Sequence, residues 1–65
     1  MADEKERIAQ IFTQLPKSEQ SRLMSDYSLL SSWVKGQLSD ISGSDTMRKI
    51  WEIVKFIIET MFFNR

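Results

Sequence analysis

The chain has 65 residues, nine Lys+Arg against nine Asp+Glu, and neither Cys nor His. That composition excludes disulfides, thiolate or imidazole metal sites, and the ordinary Ser–His and Cys–His nucleophile systems. One short chain sits near the limit at which a single core suffices, so we expect one helical domain, residues 1–65, helped by oligomerisation.

The opening run Met1-Ala2-Asp3-Glu4-Lys5-Glu6-Arg7 is acidic first and has no apolar core, unlike a secretory signal. Helix one is expected over residues 3–14. Asp3 followed by Glu6 reads as a capping box, and Ile8, Ile11, Phe12 and Leu15 fall on one helical face. Proline lacks an N–H and restricts the residue before it, so Leu15-Pro16-Lys17-Ser18 ends that helix.

Helix two is expected over residues 18–40, with Ser18 as its N-cap. Leu23, Tyr27, Leu30, Val34, Leu38 and Ile41 step by three or four, with Met24, Leu29 and Trp33 alongside. The opposite face carries Ser21, Ser25, Ser28, Ser32, Gly36 and Ser39 instead of the usual Glu, Lys and Arg. Such a ridge suits either a wet surface or the close approach of another helix. Asp40-Ile41-Ser42-Gly43-Ser44-Asp45 is a cluster of turn formers and closes the helix; it lacks the spaced acids of a calcium loop.

Helix three is expected over residues 45–63, making a long antiparallel hairpin with helix two. Its core stripe is read as Met47, Ile50, Trp51, Val54, Ile57, Ile58, Met61 and Phe62. Ile53, Phe56 and Phe63 fall outside that stripe as a second apolar ridge. A helix apolar nearly all round is expected to be buried on more than one side. Trp33 and Trp51 lie toward the hairpin turn, where the shorter helix one leaves the core face bare. The methionines read as core gap-fillers.

No segment alternates with period two, so the fold class is all-α: a short N-terminal helix plus a helical hairpin, assembling as a bundle. The serines lack a base and a nucleophile elbow, and Glu52 with Glu59 offers no opposed pair in a pocket, so no catalytic residue, cofactor or metal site is assigned. The expected function is a cytoplasmic, non-enzymatic interaction or regulatory protein. It acts as a homo-oligomer, a dimer most simply, or as an adaptor for another protein. The candidate interface residues are Ile53, Phe56, Phe63, Trp33 and Trp51. A peripheral membrane binder is the alternative, through the aromatic residues of helix three beside Arg48, Lys49, Lys55 and Arg65. Helix-turn-helix binding of nucleic acid is weaker still, because helix two offers only Arg22 and Lys35 and no basic patch exists.

Overall fold

The computed structural model describes residues 4–38, 43 and 45–63. The expected Asp3 cap, Ser39, the Asp40-Ile41-Ser42 and Ser44 parts of the second break, and Arg65 lie outside them. The described residues form four helices: α1 (Glu4–Thr13), α2 (Lys17–Met24), α3 (Tyr27–Gln37) and α4 (Thr46–Phe63). The described residues contain no strand, in keeping with the all-α reading. The expected count of three helices is corrected to four.

The additional break falls at Ser25-Asp26, inside the expected helix two. Asp26 is extended (φ −142°, ψ 113°), and its carboxylate accepts the Ser28 N–H at 2.9 Å, capping α3. On the other side, the Ser25 hydroxyl donates to the Arg22 carbonyl at 2.8 Å, and the Asp26 N–H donates to the Leu23 carbonyl at 3.4 Å. Both helix ends thus have part of their orphan groups satisfied locally, which helps make a break tolerable. The apolar spacing from Leu23 through Tyr27 to Leu30 runs across the break and hides it.

Pro16 performs as its chemistry dictates. It is the N-cap of α2 (φ −56°, ψ 148°) with no side-chain cap, so α2 starts at Lys17 and Ser18 is not the cap. The end of α1 is held instead from α2: the Gln20 side-chain amide lies 3.0 to 3.1 Å from the carbonyls of Phe12, Thr13 and Leu15. One side chain therefore serves three carbonyls at and just beyond the end of α1, of which that of Phe12 also accepts the Leu15 N–H at 3.1 Å. At the start of α4, Gly43 has φ 116°, a backbone region that favours glycine, and its carbonyl accepts the Thr46 hydroxyl at 3.1 Å.

The core joins Ile8, Ala9 and Phe12 of α1, Leu23 of α2, Leu30 and Val34 of α3 with Leu38 just beyond it, and Ile50, Ile53, Val54 and Ile57 of α4. α4 packs against both α1 and α3, while α2 packs against α3. At 1.5 Å per residue the 18 residues of α4 span about 27 Å, most of the 33 Å long dimension of the molecule. α1 runs along α4 in the same direction. The Lys5 ammonium stands 5.3 Å from the Phe56 ring centroid, and Thr13 borders the groove that contains Thr60 and Met61. The Arg7 guanidinium donates to the Gln37 carbonyl at 3.3 Å and ties α1 to the end of α3.

The core face of α4 differs from the expected one. Its centre is the rhomb Ile50, Ile53, Val54 and Ile57, whereas Met47, Trp51 and Phe62 are exposed. At 100° per residue this is a rotation of about 60°. The cause is the position of α1, which docks beside α4 and closes over Ile53. Four β-branched side chains at i, i+3, i+4 and i+7 form a stiff, even surface against Ile8 and Phe12 on one side and Leu30 and Val34 on the other.

Two substitutions test this arrangement by urea denaturation. Ile57→Ala is expected to cost roughly 2 to 5 kcal/mol, as a fully buried side chain at the centre of the rhomb. Asp26→Ala is expected to cost about 1 kcal/mol through loss of the α3 cap. A neutral Asp26→Ala would mean that α2 and α3 do not depend on the capped break.

Candidate protein interface

The expected interface residues separate in the fold. Ile53 is only 4% exposed and belongs to the core, so the single chain already covers the first residue of the expected second ridge. Phe56 is half-buried beneath Lys5. Phe63 is 85% exposed but stands alone at the end of α4. Trp33 does not sit at a bare end. It is half-buried, and its ring meets Phe12 of α1 edge-on, with centroids 5.6 Å apart and an interplanar angle of 75°. Trp51 remains 51% exposed.

Around Trp51 the structure assembles a patch that the sequence reading divides between core and loop. Met47, Trp51, Ile58 and Phe62 step by four, seven and four along α4, so they lie on one line of the helix. Met47 is 72% exposed and Phe62 61% exposed; Ile58 is half-buried between them. From α3, Tyr27 (53% exposed) brings its ring to within 6.0 Å of Trp51, tilted by 58°. Asp26 matters here: by capping α3 it makes Tyr27 the first helical residue, beside Trp51. Tyr27, Met47 and Phe62 are the site residues that sequence reasoning missed. The Ser25-Asp26 pair was a readable cap signal for Tyr27. For Met47 and Phe62 no local signal exists, because their exposure depends on where α1 docks.

One side of this line is bounded by Tyr27. The other is bounded by an exposed charged flank in which the sign alternates along the helix: Arg48, Glu52, Lys55, Glu59. None of the four is in an ion pair with another described residue; the pairs present are Arg7–Glu4 at 3.6 Å and Arg22–Glu19 at 2.9 Å. The Arg22 guanidinium, hydrogen-bonded to Glu19 through two nitrogens, holds that carboxyl below its usual range. One of the two cations on the expected helix two is therefore already engaged.

The serine ridge is exposed at Ser21, Ser25, Ser28, Ser32 and Gly36, and open space surrounds the position a Gly36 Cβ would take. Nothing in the described chain packs on it. Among the described residues no group of three acidic side chains converges to hold a metal ion, and no helix is long and apolar enough to cross a membrane. No protein family model matches the chain, nor does any curated protein or solved structure.

The two tryptophans give the simplest check on this geometry. In dilute solution Trp33→Ala is expected to lower stability by at least about 1 kcal/mol more than Trp51→Ala, because Trp33 loses an edge-to-face partner as well as burial. Equal losses at both positions would contradict the burial assigned to Trp33.

Proposed function

We propose that this chain is a non-enzymatic interaction protein that works as a homo-oligomer, most simply a dimer, through the outward line of α4. The observation that carries this reading is the line of Met47, Trp51 and Phe62 with Tyr27 against Trp51, four large apolar side chains left half or more exposed along one side of α4 with the half-buried Ile58 between them. Scattered exposed apolar residues are ordinary, but a contiguous patch marks a contact surface, and Trp, Tyr, Phe and Met are the types enriched there. Leaving each in water forgoes on the order of 1 kcal/mol, given that full burial is worth about 1.5 to 3 kcal/mol and each is roughly half covered already. A chain of 65 residues gains proportionately from such cover. The lack of Cys is compatible with a cytoplasmic setting.

The membrane-surface alternative draws on the same aromatic residues. It is disfavoured by Glu52 and Glu59, which set as much negative as positive charge beside the patch, where an interfacial helix presents a cationic face. Nucleic-acid binding draws on no feature of the patch.

Light scattering over a concentration series tests the reading. The unmodified chain is expected to exceed its monomer mass of 7.7 kDa, and Trp51→Ser/Phe62→Ser to return to it with the helical circular dichroism retained. Phe56→Ser/Phe63→Ser, on the other side of α4, is expected to leave the mass unchanged. If only the second pair dissociates the species, the outward line is not the contact.

A further inference from the structure

The occupant of the α4 line follows from two patterns that share one symmetry. Along the apolar line, Met47 and Phe62 are equidistant from a midpoint between Val54 and Lys55, and so are Trp51 and Ile58. Along the charged flank, Arg48 and Glu59 are equidistant from a midpoint between Ile53 and Val54, and so are Glu52 and Lys55. The two midpoints differ by one residue, about 1.5 Å, which long side chains absorb.

A twofold axis perpendicular to α4 at this midpoint superimposes the helix on a reversed copy. In an antiparallel pair of that kind, the flank of one helix faces the same flank of its partner, read in the opposite direction. The order positive, negative, positive, negative then meets its complement at every place: Arg48 faces the partner's Glu59, and Glu52 faces the partner's Lys55. On the apolar line Phe62 reaches the partner's Met47, next to its Trp51 and Tyr27, and Trp51 reaches the partner's Ile58. A parallel twofold pair instead sets this flank against the opposite side of the partner helix, the side bounded by Tyr27, where the charge order has no complement.

We infer that the ligand of this surface is a second copy of the same chain, docked antiparallel on α4 with the twofold axis passing beside Val54. The inference rests on the interaction reading above and adds the occupant, the direction and the register. Within one helix only Glu52–Lys55, at i,i+3, has the acid on the N-terminal side, and it is not closed in the structure. Arg48–Glu52 and Lys55–Glu59 have the cation on the N-terminal side, the weaker order for an i,i+4 pair, and neither pair is closed in the structure. The area also suits a small dimer. With an aromatic side chain offering about 150 to 250 Å², the exposed parts of Tyr27, Met47, Trp51 and Phe62 amount to roughly 500 Å² per copy. The stems of Arg48 and Lys55 bring this toward the about 800 Å² per partner of a standard interface.

Cysteine cross-linking tests the arrangement on the full chain, which has no Cys of its own. Lys55 lies beside the axis, so Lys55→Cys is expected to oxidise to a disulfide dimer. Arg48→Cys and Glu59→Cys are each expected to stay uncross-linked alone and to cross-link when mixed. In the antiparallel pair two copies of position 48 lie about 18 Å apart along the axis, far beyond the Cα separation of about 7 Å that a disulfide can span. Inverting the whole flank, Arg48→Glu/Glu52→Lys/Lys55→Glu/Glu59→Lys, gives a second readout. That chain is expected to pair with itself and to form fewer mixed dimers with the unmodified chain than random exchange gives. Self-cross-linking of Arg48→Cys, or mixed dimers at or above the random share, contradicts the antiparallel register and overturns the inference while leaving the interaction reading intact. A dimer in which none of these cysteines reacts places the contact elsewhere and overturns the inference. An unmodified chain that remains at 7.7 kDa at high micromolar concentration removes both, including one that then binds anionic vesicles.

Discussion

α4 presents more apolar side chains than the remaining helices have surface to cover, and the architecture is organised around which of them go under. Its 18 residues include eleven hydrophobic side chains distributed over most of the helix circumference. Its main packing partners are α1 and α3. They close over the stiff β-branched rhomb of Ile50, Ile53, Val54 and Ile57 and leave the bulkier Met47, Trp51 and Phe62 at the margin. Interiors pack as crystals do, so an even surface of branched aliphatic side chains accepts two neighbouring helices more readily than one interrupted by an indole.

The polar details elsewhere serve that docking. Gln20 holds the end of α1 against α2, and Arg7 fastens α1 to the end of α3. Lys5 covers Phe56 on the far side of α4 with its ammonium over the ring, a contact worth about 0.5 to 1 kcal/mol at an exposed site. Asp26 ends the straight run of α2 and restarts the chain as α3, which is how Tyr27 comes to lie against Trp51. The patch on α4 thus depends on a cap in a different helix. The exposed line and its charged flank are what remains of α4 once the core has been satisfied.

Much of this was legible in the residues, and the parts that were not have a common cause. Pro16 and Gly43 interrupt the helices where their chemistry requires, and Ile8, Phe12, Leu30, Val34 and Ile57 fall in the core as the 3.6-residue period implies. Ser25-Asp26 was a cap signal masked by an apolar spacing that continues through it. The face of α4 was not available from periodicity. A stripe of eight apolar residues has no unique centre, and the side that is buried is decided by the docking of α1, a contact between residues some forty to fifty positions apart in the chain. Hence Ile53, read as part of an outer ridge, lies inside, while Met47 and Phe62, read as core, lie outside. Trp51 keeps its place in the candidate interface for a different reason than its closeness to the hairpin turn. The serine ridge was readable as exposed, and a ligand for it was not.

The fluorescence of Trp51 tests the central claim most directly. A Trp33→Phe chain has Trp51 as its single indole, seated in the middle of the outward line. As that chain is concentrated from low to high micromolar, the account predicts a shift of the emission to shorter wavelength and a fall in acrylamide quenching, both reversed by dilution. Emission and quenching that do not change with concentration, with Trp51 as accessible at the highest concentration as at the lowest, would contradict it.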